Sequence, residues 1–168
     1  MSTPETTTAP LAERLRVELE LFRANVTGVY GSVVATSDGF LVAHDVPDLE
    51  PTEIAALAAT TRALATRTTL AAGRGEFRET MARGSTGYLA TYAAGTNAIV
   101  AVIGTNDLNV GMLRYQAREI IARIAANAPE FRNWSSSGAA NGDDGSPAET
   151  GPRQDSPPPL PRRRPSSR

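Results

Sequence analysis

One helical segment, PTEIAALAATTRALATRTTLAA at residues 51–72, carries only three charged side chains. Pro51 suits the first turn of a helix, and Gly73 suits the position just past its end. A helix with so little polar surface usually buries more than one side. We therefore expect this middle helix to cover a sheet with one face and to meet a second partner with the other.

Helical geometry divides the middle helix into two faces. At ~100° per residue, the face that we expect to cover a sheet comprises Ile54, Leu57, Thr61, Leu64 and Thr68, with Ala58 and Ala65 at its edge. We predict that the opposite face is an interface for a second copy of the chain or for another partner. Together with flanking arginines and part of the following strand, the candidate interface residues are Ala55, Ala59, Arg62, Ala63, Thr66, Arg67, Leu70, Phe77, Arg78 and Thr80.

The segments on either side of the middle helix have the alternation that is typical of strands. GVYGSVVA and FLVAH flank Asp38-Gly39, a strong hairpin signal because glycine accepts the positive φ of a tight turn. EFRETMAR, at residues 76–83, alternates apolar and charged side chains as an edge strand does. Two further strands are predicted at 88–94 and 98–103. Since AIVAVI is apolar on both faces, we expect it at the centre of a sheet.

An amphipathic helix is predicted at each end of this strand-rich region. The first begins at Thr8 or Pro10 and ends at Gly28, and its apolar residues Leu11, Leu15, Leu19, Phe22 and Val26 recur at helical spacing. The last runs over residues 110–126 and is stopped by Pro129. Because short loops within each strand group indicate antiparallel pairing, the order of elements predicts an α+β fold with helices on both faces of the sheet.

The two ends of the chain differ in composition from the middle. We expect a flexible N-terminus at residues 1–9 and a folded domain at 10–131. Residues 135–168 are rich in Pro, Gly and Ser, and we predict a disordered tail because they bury too little apolar surface to offset the entropy of ordering. The tail ends in PPPLPRRRP, which fits either a solvated segment without a partner or a polyproline docking motif.

Composition excludes several classes of chemistry. Without cysteine the chain has no disulfide, thiolate metal site or cysteine nucleophile, and without lysine it has no P-loop. A net charge of −1 gives no electrostatic footprint for nucleic acid. The sequence shows neither signal-peptide features nor an apolar stretch of ~20 residues, so we expect a cytoplasmic protein without direct membrane insertion.

Few side chains offer catalytic or metal-binding chemistry. His44 is the only histidine, and its neighbour Asp45 would point to the opposite face of a strand. We therefore interpret His44 as a surface residue rather than a general base. The acidic residues Glu53, Glu76, Glu79 and Asp107 are not gathered at ligand spacing. We predict that the protein is not an enzyme and has no metal or cofactor site, which leaves an interaction surface.

Three stretches resemble the Roadblock family, the dynein light chain domains whose bacterial members include regulators of Ras-like GTPases. They are VTGVYGSVVATSDGFLVA, EIAALAATTRALA and AIVAVIGTNDLNVGMLRYQAREI, within a resemblance that extends from about Leu11 to Phe131. The resemblance implies a five-stranded antiparallel sheet with the middle helix on one face and the two terminal helices on the other, a profilin-like α/β/α sandwich. It also implies homodimers in which the middle helices and the strands after them meet across a two-fold axis.

The function implied by the resemblance is non-catalytic. It is that of a homodimeric adaptor that binds a small Ras-like GTPase and modulates its nucleotide cycle or location, with a sensor kinase system as a further candidate partner. The alternative is a monomeric profilin- or sensor-like module that binds a peptide or small ligand in a cleft beside the sheet. The apolar outward face of the middle helix favours the adaptor. Whether that face serves the dimer or the partner stays open from sequence.

Overall fold

The computed structural model describes residues 8–134. In chain order the elements are α1 (Thr8–Asn25), β1 (Val29–Thr36), β2 (Leu41–His44), α2 (Pro51–Ala71), β3 (Glu79–Arg83), β4 (Gly87–Ala94), β5 (Ala98–Thr105) and α3 (Val110–Asn127), followed by a 3-10 helix (Ala128–Asn133). The predictions for residues 1–7 and for the tail at 135–168 lie outside the described residues.

The strands form one antiparallel sheet in the order β2-β1-β5-β4-β3. β5 lies at the centre, where Val100 pairs with Val34 of β1 and with Tyr92 of β4. The predictions that AIVAVI is central and that EFRETMAR lies at an edge are both confirmed. β2 and β3 are the two edge strands.

Helices cover both faces of the sheet, which confirms the expected α/β/α arrangement. α1 and α3 pack on one face, where Leu19 and Leu113 are fully buried among the sheet residues Val34 and Val100. α2 packs on the other face in a smaller core that includes Val33 and Ile99. Because successive strand residues point to opposite faces, the neighbours Ile99 and Val100 serve different cores.

The turn between β1 and β2 brings the hairpin against α2. Gly39 has a φ of 92°, a conformation that L side chains rarely adopt. A Cβ built at Gly39 would lie 3.2 Å from the Cα of Ala56 and 3.3 Å from the Cβ of Ala59. The glycine therefore permits both the turn and the close approach, and the hairpin is part of the scaffold that holds α2.

The largest differences between the structure and the predicted boundaries are at the start of β3 and after α3. β3 begins at Glu79 instead of residue 76, because the ladder with β4 starts at the pair Glu79 and Tyr92. The 3-10 helix after α3, which leads to Trp134, was not predicted. Pro129 does prevent continuation of the α-helix, as expected, but the chain goes on in a tighter helical turn.

Candidate interaction surface

The side of α2 that faces away from the sheet is mostly apolar. Three leucines project there, with exposed fractions of 52% for Leu57, 67% for Leu64 and 56% for Leu70. Its only charged residues are Glu53 and Arg67. We call this surface the outer face of α2, and its exposed residues are Thr52, Glu53, Ala56, Leu57, Thr60, Ala63, Leu64, Arg67, Thr68, Leu70 and Ala71.

The exposed face of α2 is not the one predicted, because the helix is rotated about its own axis relative to the predicted orientation. Ala55 and Ala58 are 0% and 1% exposed and contact the sheet, whereas Leu57 and Leu64 are solvent-exposed. The prediction that Ala55 lies on the outward face is therefore wrong, as is the expectation that Leu57, Leu64 and Thr68 cover the sheet. Ile54 does pack against the sheet as expected.

Side-chain size explains this rotation better than hydrophobicity does. The sheet face under α2 already carries the branched side chains Val33 and Ile99, and the Gly39 turn approaches the helix backbone closely. Alanines at the contact allow a short distance between helix and sheet, and leucines would hold the helix away. Alanine and leucine score alike as apolar in a helical period, so periodicity could not separate the two faces.

Arg62 binds to the turn between β4 and β5 and does not lie free at the rim of the outer face. Its Nη2 donates hydrogen bonds to the carbonyl oxygens of Thr96 at 2.9 Å and Gly95 at 3.3 Å, in the turn between β4 and β5. Partial burial lowers the pKa of Arg62 below its usual range. Thr66, another predicted interface residue, is half-buried, and its hydroxyl donates to the Arg62 carbonyl.

The other predicted interface residues fall into three groups. Phe77 is only 7% exposed within the chain itself, so its assignment to an outward surface is wrong. Ala59 and Thr80 are half-buried. The residues with freely exposed side chains are Ala63, Arg67, Leu70 and Arg78.

Two threonine hydroxyls on the outer face of α2 are satisfied by the helix itself. The Thr60 hydroxyl donates to the Ala56 carbonyl, and the Thr68 hydroxyl donates to the Leu64 carbonyl, each at 3.0 Å. A hydroxyl that already has an internal partner loses less when a surface is covered than one that bonds to water. These two hydroxyls can therefore be desolvated at low cost.

The edge strand β3 follows α2 in the chain and pairs with β4 on one side only. In the part of the chain that the structure describes, no strand or side chain pairs with the outer backbone groups of β3. Exposed Arg78 precedes this strand. An unpaired edge of this kind can accept another strand by backbone hydrogen bonding.

Asp45 makes structural contacts with its neighbours and does not orient His44. Its Oδ1 accepts the Ser32 amide at 2.5 Å, and its Oδ2 lies 3.1 Å from the Nε of Arg23 on α1. Burial is the main cause that raises the pKa of this carboxyl above its usual range, against the opposing effects of the Ser32 amide and Arg23. Within residues 8–134, no group of three or more His, Cys, Asp or Glu side chains could hold a metal ion.

A shallow cleft of about 510 Å³ opens between the start of β1 and the hairpin of β3 and β4. Its apolar floor includes Leu89 and Ile103, and Tyr30 and Arg83 supply polar groups. Three glycines also line it.

No helix among the described residues is long and apolar enough to cross a membrane.

Together, the sandwich fold, the exposed apolar helix and the open edge strand define an interaction module. Residues 16–104 match the Roadblock/LC7 domain. An uncharacterized protein of Methanocaldococcus jannaschii is 30% identical over 112 residues, which cover 66% of this chain and 96% of that protein. The chain therefore belongs to the Roadblock/LC7 domain family, whose members are regulatory or adaptor domains.

Solved structures share the fold at low sequence identity. The gliding protein MglB of Thermus thermophilus has a TM-score of 0.64 at 21% identity, covering 71% of this chain and 91% of that one. A Roadblock/LC7 domain of Streptomyces avermitilis has a TM-score of 0.63 at 17% identity, covering 66% and 94%. Profilin IB of Acanthamoeba castellanii, at 10% identity and with 67% and 98% covered, has a TM-score of 0.51, in agreement with the profilin-like sandwich.

Proposed function

We propose that this protein is a homodimeric adaptor that binds a small Ras-like GTPase in the cytoplasm and modulates its nucleotide cycle or its location. The observation that carries this proposal is the outer face of α2, a long apolar surface with two charged residues. Exposed patches of this kind mark interaction sites in soluble proteins. Family membership supports a regulatory role rather than a catalytic one.

The sequence of the outer face supports the binding of a second copy of the chain to this surface. Residues placed symmetrically about Thr60 are complementary when two α2 helices pack antiparallel across a two-fold axis. Leu57 of one copy then lies against the partner's Ala63, and Leu64 against the partner's Ala56, so that large side chains meet small ones. In the same register, Glu53 approaches the partner's Arg67 with opposite charge.

The β3 edge supports the same arrangement. It follows α2 in the chain, and its outer backbone groups have no pairing strand within residues 8–134. Two copies that met through both α2 and β3 would bury a helix face and extend the sheet in one interface. The surfaces that stay exposed, such as those of α1 and α3, would then be available to the GTPase.

A pair of matched leucine substitutions tests the dimer. Leu64 on the outer face of α2 and Leu21 on α1 have exposed fractions of 67% and 58%. Leu64→Glu should convert the dimer to a monomer in light scattering, because it places a charge in the proposed dimer interface. Leu21→Glu should leave the mass unchanged. A wild-type monomer, or a dimer that survives Leu64→Glu, would contradict the assignment of the dimer interface to the outer face of α2.

The GTPase proposal needs a separate experiment. The small GTPases of the source organism would be purified and tested for co-elution with the full-length chain, in both GDP- and GTP-bound forms. Fluorescent-nucleotide release and GTP hydrolysis would then be measured with and without the protein. We expect nucleotide-dependent binding to at least one GTPase. If all of these GTPases fail to bind a folded, dimeric protein, the adaptor proposal is wrong.

The cleft between β1 and the β3–β4 hairpin supports a second candidate function. A monomeric module of this fold could bind a peptide or small ligand there, with Tyr30 and Arg83 providing the orienting polar groups. This candidate requires a monomer whose cleft substitutions, such as Arg83→Ala, abolish binding of a peptide or small ligand. Light scattering on wild-type protein separates it from the adaptor.

A further inference from the structure

The two edges of the sheet differ in their contacts within residues 8–134. There, no strand pairs with the outer side of β3, whereas β2 is contacted by residues that follow α3. The indole Nε1 of Trp134 donates a hydrogen bond of 2.9 Å to the carbonyl oxygen of Leu41 in β2. Since β1 occupies the other side of β2, this contact falls where a further strand would otherwise pair.

Trp134 is held in place by the interior of the domain. The 3-10 helix begins directly after α3 with a proline in its first turn, and Phe131 within it is 2% exposed in the core formed with α1 and α3. The rings of Phe131 and Trp134 meet edge to face, with centroids 6.2 Å apart. The Trp134 amide also donates to the Phe131 carbonyl at 3.1 Å. The contacts with buried Phe131, which precedes Trp134 in the chain, therefore position the indole.

We propose that residues 128–134 act as an edge cover, which closes β2 to strand pairing with a second copy of this chain and leaves β3 as the open edge among residues 8–134. An uncovered edge strand is a template for association with another chain, and proteins block such edges with bulky or covering segments. The occupant that the edge cover excludes is a strand from a second copy. This inference concerns β2 and does not depend on the proposed function, because it holds whether the wild-type protein is a monomer or a dimer.

The hydrogen-bond pattern shows which residue of β2 would pair with an added strand. The Asp45 amide donates to the Ser32 carbonyl at 3.0 Å, so this pair faces β1. Inward-bonded and outward-facing residues alternate along an antiparallel strand. His44, which lies opposite Val33, therefore directs its backbone amide away from β1. Proline at His44 would remove this outward donor without breaking the bonds between β1 and β2.

The test compares the masses of full-length variants by light scattering over a range of concentrations. Trp134→Ala should produce species heavier than wild type that grow with concentration. Trp134→Phe, which keeps an aromatic ring and loses the indole N–H, should show a smaller increase. Adding His44→Pro to Trp134→Ala should restore the wild-type mass, because the exposed edge is then blocked.

Two results would overturn the proposal that the edge cover closes β2. One is a mass equal to wild type for both Trp134 variants, and the other is association of Trp134→Ala that persists after His44→Pro. Circular dichroism checks that each variant is folded; if Trp134→Ala is not, the mass of Trp134→Phe decides in its place. Trp134 is the single tryptophan, so wild-type fluorescence reports on the cover directly. Emission and iodide quenching equal to those of free tryptophan would also contradict the proposal.

Discussion

The Arg62 guanidinium on α2 lies 2.9 Å from the carbonyl oxygen of Thr96, in the turn between β4 and β5. This contact joins residues 34 positions apart and fixes α2 over one end of the sheet. The exposed leucines of α2 therefore depend on Arg62 for their placement, together with the small side chains beneath the helix. These contacts, and the charges around them, have consequences that can be measured.

Arg62→Ala should destabilise the domain by about 1–2 kcal/mol, because it removes two hydrogen bonds from a charged donor to backbone carbonyls. Arg67→Ala is the matched control, since Arg67 lies exposed on the same helix. It should change the free energy of unfolding by less than about 0.5 kcal/mol. Urea unfolding measures both at a protein concentration that favours the monomer. Equal losses for the two arginines would contradict the anchoring role of Arg62.

Ala55→Leu should destabilise the domain by about 1–3 kcal/mol, because Ala55 is fully buried between α2 and the sheet and extra atoms there overpack the core. Leu57→Ala should change monomer stability by only about 0.5 kcal/mol, since that side chain is largely exposed. Thermal unfolding of the two variants checks the orientation of α2. The reverse order of stabilities would mean that the leucines face the sheet after all.

Charge reversal on the outer face of α2 should weaken the proposed dimer and then restore it. Glu53→Arg and Arg67→Glu each replace an attraction by a repulsion at both symmetry-related contacts. With about 0.5–1 kcal/mol for each exposed pair, loss of the two attractions alone should raise the dimer dissociation constant about tenfold, and the new repulsion should raise it further. The double variant should return close to wild type. Sedimentation at low ionic strength measures this, and failure of the double variant to recover would rule out the proposed register.

The buried carboxyl of Asp45 should make stability depend on pH. Because its folded pKa is raised above the ordinary value, its favourable contribution is present at low pH and is lost as pH rises through the raised pKa. Asp45→Asn removes the titration and keeps an oxygen to accept the Ser32 amide. Wild type should therefore lose stability relative to Asp45→Asn as pH increases. Urea unfolding of both proteins at several pH values checks this, and a relative gain would mean that Arg23 outweighs burial.

Local patterns were sufficient to predict most elements of this fold. The turn at Asp38-Gly39, the Pro51 start of α2 and the double-sided apolar run of β5 each act over a few residues, so their consequences are readable from neighbouring positions. The same patterns placed β5 at the centre of the sheet and β3 at its edge. The resemblance to the Roadblock family supplied the arrangement of helices on the two faces.

The candidate interface was predicted only in part. An uncovered apolar surface on α2 was expected, and Ala63, Arg67 and Leu70 do lie on it. Ala55 and Phe77 were misplaced because burial depends on what lies opposite a residue, which the local sequence does not contain. The contact of Trp134 with β2 could not be predicted from the sequence, since its partner Leu41 is 93 positions away.

The sequence by itself therefore determined which segments become helices and strands, and that α2 has more apolar surface than one sheet can cover. Only the tertiary structure decided which side of α2 stays exposed and which sheet edge stays open. The physical reason is that helical and strand periods express backbone geometry over a few residues. The rotation of a helix and the cover of an edge instead depend on side-chain volume and hydrogen-bond partners distant in sequence.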